Sequence, residues 1–375
     1  MCALKRNGKE WLVNVEERNY GIDILRIVSM IGVMSLHILG HGGVLDNTKV
    51  LSTNYNLAWL LEVIVYCAVD CFVLISGYVT ISAKYKPSNL FLLWLETEIY
   101  SVVIMLIFFV FHNVHDIKEC ITAFLPVTTT QYWFFSMYFG MMLFVPIING
   151  FIINFNKKNF LILLFITVIF TLFSVVDGNV FELNSGFSML WFVILYLWGG
   201  ALYKIQCVHQ FDLKLVKYIT IGMILLTWLS KIILERITLE LIGKAKYGIL
   251  LIKYTSPTIL IVGCGLVVIF SNIKCHNKTI HLLKKTTPLV FSAYLLQDNK
   301  YIRKYFITNR FSFLATKNAF VMVTGVLFFA TICFVVGILI DKIRLYLFTK
   351  IKIKKRIQFI EEKILAIFLD KQQIQ

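Results

Sequence analysis

The sequence predicts an all-α polytopic membrane protein: a bundle of about ten transmembrane helices, both termini cytoplasmic, with a basic amphipathic C-terminal tail. Three observations carry this. Hydrophobic residues make up 58% of the 375-residue chain and charged residues 15%, with a mean hydropathy of +0.77; a soluble domain carries about 25% charged residues. Apolar runs of about 17–25 residues, the length a bilayer requires, recur along the chain. The connections between them are short, with no Pro/Ser-rich linker, no soluble domain and no internal repeat.

In chain order, residues 1–21 mix Lys5, Arg6, Lys9 and Arg18 with Glu10, Glu16 and Glu17. No small-residue cleavage site follows a short apolar core, so this reads as a cytoplasmic N-terminal segment ahead of a retained first helix. Spans are predicted at 22–40, 58–80, 90–111, 132–152, 160–177, 188–205, 215–234, 249–272, 280–298 and 319–341, which makes 22–341 the membrane domain. Lys284 and Lys285 shorten the apolar run of the ninth. The amphipathic stretch Ile117 to Thr130 is expected to lie on the surface or to re-enter. With the N-terminus inside, the inner connections gather most of the Lys and Arg, as the positive-inside rule requires. The last outer loop is discordant, with Lys300, Arg303, Lys304, Arg310 and Lys317. It fits either a basic patch for an acidic acceptor or a misplacement of the last two spans. From 342 to 375 the chain interleaves Lys350, Lys352, Lys354, Lys355 and Arg356 with Ile351, Ile353, Ile357, Phe359, Ile360, Ile364 and Phe368. That pattern predicts an interfacial helix against anionic membrane lipid.

Composition also excludes. The 32 Phe, 17 Tyr and 7 Trp suit membrane packing and interfacial belts. The +16 charge needs no nucleic-acid partner, because cytoplasmic loops collect Lys and Arg. Eight cysteines include no Cys-x-x-Cys pair and read as packing residues. His37/His41 and His112/His115 have metal-ligand spacing, but no carboxylate or Cys completes either set, so no metal and no bound cofactor are expected.

Chemistry concentrates in the first span, where Asp23, Arg26 and His37 interrupt an apolar segment. Charge at membrane depth is expensive and marks a functional site by default. Arg26 and His37, eleven residues apart, return to within roughly 20° of one helix face and stand about 16 Å apart along the axis. Asp23 can neutralise Arg26 across one turn. The stripe reads as the lining of a polar path; its alternative is a buried salt bridge with a packed histidine. In the second span, Asp70 precedes Ser76, Gly77 and Tyr78, and Ser76-Gly77 permits close approach of a ligand or of another helix. Arg26, Lys84 and Lys86 are expected to form a cationic mouth for a phosphorylated cytoplasmic donor. Glu98, at the start of the third span, either pairs with these cations or caps the mouth.

These residues resemble the acyltransferase 3 family of bacterial membrane acyltransferases, which modify cell-surface glycans. The family's Asp-x-x-Arg, ten residues, then His is similar to Asp23-Ile24-Leu25-Arg26 followed by His37. Its Asp-x-Phe-Phe-x-x-Ser-Gly-Phe/Tyr segment resembles Asp70-Cys71-Phe72-Val73-Leu74-Ile75-Ser76-Gly77-Tyr78. Its later aromatic stretch is similar to Tyr132-Trp133-Phe134, Tyr138 and Pro146-Ile147-Ile148-Asn149. Its Tyr-Leu-x-His looks like Tyr294-Leu295-Leu296-Gln297, with Gln in place of His, a departure that argues against a catalytic role at that position.

The resemblance implies an O-acyltransferase, most commonly an O-acetyltransferase, of the bacterial cell membrane. Such an enzyme takes the acyl group from cytoplasmic acyl-CoA, commonly acetyl-CoA. It delivers the group to a hydroxyl of a surface polysaccharide, an exopolysaccharide or a lipid-linked oligosaccharide precursor. His37 and Arg26 are then the catalytic candidates. Asp23, Asp70, Ser76, Gly77, Tyr78, Lys84, Lys86, Glu98, Trp133 and Tyr294 are the substrate- and donor-binding candidates. Relatives with a fused extracytoplasmic domain suggest that such a transferase, if needed, is a separate partner. The alternative is a non-enzymatic flippase of polysaccharide assembly, which needs cations for a pyrophosphate but no base.

Overall fold

The computed structural model describes residues 3–6, 9–12, 18–81, 85–112 and 116–372. A short hairpin, Ala3–Arg6 paired with Lys9–Leu12, precedes the helices. They are α1 (Tyr20–Leu39), α2 (Thr53–Tyr66), α3 (Ala68–Thr80), α4 (Pro87–His112), α5 (Ile117–Phe124), α6 (Trp133–Ile153) and α7 (Lys157–Val176). There follow α8 (Met189–Val208), α9 (Leu213–Ile242), α10 (Pro257–Ser271), α11 (Asn277–Thr286), α12 (Val290–Gln297), α13 (Ala319–Lys350) and α14 (Ile353–Gln372).

Apolar length makes these segments helical in lipid, where every backbone group must bond within its own segment. Polar caps set where they begin. Asn19 accepts from the Ile22 amide, Ser52 from Tyr55, Asn156 from Asn159, Ser188 from Trp191 and Asn318 from Val321. Each such cap satisfies an amide that the first turn leaves open.

Among the described residues, eight helical segments are long and apolar enough to cross a membrane, with α2 and α3 counted as one segment broken at Cys67. The remaining two predicted spans are built differently. Residues 249–272 contain the 15-residue α10. Residues 280–298 are divided into the amphipathic α11, which carries Lys284 and Lys285, a 3-10 turn at Thr287–Leu289, and the eight-residue α12. The Ile117–Thr130 stretch holds the short α5. The last long helix runs past 341 to Lys350, and α14 follows after Lys352, whose φ is 57°.

Two features hold the centre together. At the crossing of α3 and α8, a Cβ on Gly77 would lie 2.0 Å from the Tyr196 carbonyl oxygen, and one on Gly199 would lie 2.0 Å from that of Leu74. The two backbones touch, which only small residues allow. Two groups of buried charges are closed into local sets. Lys231 on α9 bonds Glu235, which accepts from Tyr55 Oη at 2.9 and 3.0 Å. Arg344 holds Asp341 at 2.5 and 2.7 Å and lies 3.3 Å from Glu96. Thus Glu96 is tied to the last long helix.

Candidate active site

The α1 stripe serves two cavities, one at each end of the helix. Near its start, a cavity of about 860 Å³ is lined by Arg18, Asp23, Arg26, Tyr78, Gln206 and Lys274, among others. Asp23 is buried at 1% exposure, and its two oxygens are held separately, by Arg18 Nε at 2.6 Å and Arg26 Nη1 at 2.8 Å. Two guanidiniums on one carboxylate leave the mouth net positive, and Lys274 adds to it. That is an anion-binding arrangement, since guanidinium retains donors for a second acceptor after bonding one carboxylate oxygen. Tyr78 Oη donates to Gln206 Oε1 at 2.7 Å, which fixes the opposite wall.

Toward the other end, a second cavity of about 390 Å³ is lined by Met30, Val33, Leu36, His37, His41, Glu62, Asp298 and Arg303. Its remaining lining is largely aromatic and includes Trp133, Phe134, Tyr254 and Tyr294. His37 Nδ1 lies 3.1 Å from Gln297 Oε1. In the tautomer whose Nδ1–H donates to that oxygen, Nε2 keeps its lone pair and can accept a proton. His41 follows one turn later, its ring centroid 5.5 Å from that of His37. It lies beyond the span. Partial burial, then the neighbouring His37 and Arg303, hold it below the ordinary histidine value against the opposing pull of Asp298. Asp298 is paired with Arg303 at 3.1 Å. Asn299 Nδ2 donates to Tyr132 Oη at 2.9 Å, tying the start of α6 to the segment that carries Asp298.

Between the cavities stands a hydrogen bond. Ser76 Oγ lies 3.0 Å from Tyr138 Oη. Each is one turn beyond a cavity-lining phenylalanine, Phe72 on α3 and Phe134 on α6, toward the end where Tyr78 lines the first cavity.

The candidates therefore divide. Asp23, Arg26 and Tyr78 share the basic cavity; His37, Trp133 and Tyr294 share the aromatic one; Ser76 stands between. Gly77 faces the α8 backbone and lines neither cavity. Asp70 is fully buried and also lines neither. Lys84 falls outside the described residues. Lys86 is exposed just before α4 and lines neither cavity; among the described residues the further cations lining the mouth are Arg18 and Lys274. Glu98 makes no ion pair among the described residues and lines neither cavity. The discordant basic loop is partly neutralised, Lys300 by Glu119 and Arg303 by Asp298.

Sequence reasoning missed four contributors. Arg18 and Lys274 come from segments joined only by the fold, through Asn19 Nδ2 donating to the Ser271 carbonyl at 2.8 Å. Gln297, which departs from the expected His, is the polar partner of the candidate base. Glu62 carried the usable signal, an ionisable residue inside the second span.

Gln297→Ala is expected to slow turnover by about 2–10-fold, the worth of one net hydrogen bond of about 0.5–1.5 kcal/mol. Gln297→His, which restores a ring nitrogen at this position, should lose less. Initial-rate measurements on the two variants check this; equal losses would detach Gln297 from the orientation of His37.

A many-helix membrane bundle with an anion-binding mouth and a histidine in a separate, largely aromatic cavity is a membrane protein equipped for group transfer. The family model described as an acyltransferase domain matches residues 19–340, and the chain belongs to this family, acyltransferase 3. No curated protein and no solved structure matches it.

Proposed function

We propose that the protein is a membrane O-acyltransferase that moves an acyl group, most simply acetyl, from cytoplasmic acyl-CoA to a hydroxyl of a surface glycan or its lipid-linked precursor. The observation that carries this reading is the division of one helix between two chemistries: guanidiniums in one cavity and a histidine with a free ring nitrogen in the other. Phosphates of the donor sit against Arg26 and Arg18, both termini being cytoplasmic and the membrane holding ten spans. The acyl-bearing arm extends along α1, past Ser76 and Tyr138, into the aromatic cavity. There the acceptor hydroxyl oxygen attacks the thioester carbonyl while His37 Nε2 takes its proton. Collapse of the tetrahedral adduct breaks the C–S bond, and His37 returns the proton to the departing thiolate. Nothing else is consumed. An acyl transfer of this kind needs a base that is neutral near pH 7, which histidine provides.

The test is to incubate membranes holding the protein with radiolabelled acetyl-CoA and analyse the glycan fraction. Label in ester linkage to glycan supports the reading; label that stays on CoA while the glycan is still exported points to a flippase. Arg26→Lys keeps the charge but loses the planar fork. It is expected to raise the acetyl-CoA concentration needed for half-maximal rate by about tenfold, the loss of about 1.4 kcal/mol. A fully active Lys variant beside a dead Ala variant would show that a point charge suffices.

A further inference from the structure

We propose that Glu62 is the acceptor-binding residue of the His37 cavity, accepting hydrogen bonds from hydroxyls of a sugar ring seated against its aromatic wall. This rests on the acyltransferase reading above and names the residue that selects the second substrate.

Glu62 is 8% exposed, and its Oε2 has no hydrogen-bond partner among the described residues. A buried polar atom without a partner is costly, and native structures rarely leave one without reason. The other carboxylate in the cavity, Asp298, is bound by Arg303; Glu62 has no cation within salt-bridge distance among the described residues. Among the described carboxylates of the cavity it is therefore the unspent acceptor, in a space lined for ligand: about 390 Å³, within the size range of small-molecule pockets.

Depth places it correctly. A Cβ on Gly32 of α1 would meet Ala68 and Val65 at 3.1 and 3.4 Å, so Val65 stands level with Gly32. As α2 runs back alongside α1, one turn earlier on α2 lies level with one turn later on α1. Glu62 is thus at the height of Leu36 and His37. The wall beside it is aromatic: Tyr66 stacks on Tyr254 at 4.8 Å, and Trp133 lies 6.0 Å from the same ring. Flat apolar faces with one carboxylate at their edge suit a ligand that is apolar on its C–H face and rich in donors at its rim. A sugar has that build, and its reacting hydroxyl would then lie at the level of the base.

The experiment uses the full chain in proteoliposomes, radiolabelled acetyl-CoA, and increasing amounts of the glycan fraction extracted from the native host. Glu62→Ala is expected to raise the half-saturating amount of glycan about tenfold, leaving the acetyl-CoA requirement and the maximal rate near wild type. Glu62→Gln, isosteric and still an acceptor, is expected to stay within about threefold. Unchanged glycan dependence in a folded Glu62→Ala protein would overturn the proposal, as would a raised requirement for acetyl-CoA instead. Equal losses in the Ala and Gln variants would overturn the hydroxyl assignment, since an ammonium partner needs the charge. His37→Ala in the same assay separates the layers: transfer abolished there but indifferent to Glu62 removes this inference alone. No transfer by the wild-type protein removes the reading beneath it.

Discussion

Replacing His37 with alanine is expected to lower acyl transfer by about 10²–10⁴-fold, the usual worth of a general base, with the protein still inserted and folded. The loss follows from position. Among the described residues, His37 is the only histidine within a long helix that lines the aromatic cavity, and in the tautomer whose Nδ1–H donates to Gln297 its Nε2 can take the hydroxyl proton. Folding should survive because the ring borders a cavity and its one side-chain hydrogen bond among the described residues ends on Gln297. Truncation leaves that amide beside new space that water can fill. Rates of label transfer from acetyl-CoA, compared at equal amounts of folded protein in detergent, give the answer. Near-normal glycan acylation in this variant would return His37 to the role of a packed side chain.

Gly77→Val is the second large effect, and it acts on stability. The added Cβ alone would sit 2.0 Å from the Tyr196 carbonyl oxygen, a backbone atom that can move only if α8 moves. Over-packing typically costs about 1–3 kcal/mol. Here the obstacle is main chain on both sides, because Gly199 repeats the contact against Leu74, so the cost should reach or exceed the top of that range. Thermal unfolding in detergent should show a much lowered midpoint for Val and a smaller drop for Ala. A Gly77→Ala protein that melts at the wild-type temperature yet needs far more acetyl-CoA would instead make Gly77 a donor contact.

The fold was legible to the extent that lipid dictates it. Apolar runs of spanning length mark α1, α4, α6, α7, α8, α9 and α13, because backbone groups in hydrocarbon leave no other regular solution. The division of 280–298 into α11, a turn and α12 was less legible. Hydropathy averaged over a window does not reveal where hydrogen bonding changes pattern, although Lys284 and Lys285 already signalled that the run was impure. Asp23, Arg26 and His37 stood out because charge in an apolar helix is costly enough to need a reason. Gly77 was ambiguous, since a close-approach residue looks the same whether a ligand or a helix approaches. Arg18, Lys274 and Gln297 were hidden for a different reason. Their roles arise from contacts between segments far apart in sequence, such as His37 with Gln297 and Asn19 with Ser271, which no local spacing encodes. Lys86 shows the converse: it is close to the Ser76-Gly77 segment in sequence yet does not line the basic cavity.

The whole account depends on which side of the membrane each cavity faces, and impermeant thiol labelling measures that directly. Lys49 and Lys158 are both exposed, Lys49 on the connection that follows α1 and Lys158 in the first turn of α7. A cysteine is placed at each in turn, in a background from which the native cysteines have been removed. With intact cells, Lys49→Cys is predicted to react with the reagent and Lys158→Cys to react only after the membrane is opened. That result puts Arg26 on the side where acyl-CoA is present and His37 nearer the acceptor. The opposite pattern would place the guanidinium mouth outside, away from any acyl-CoA, and would contradict transmembrane acyl transfer along α1.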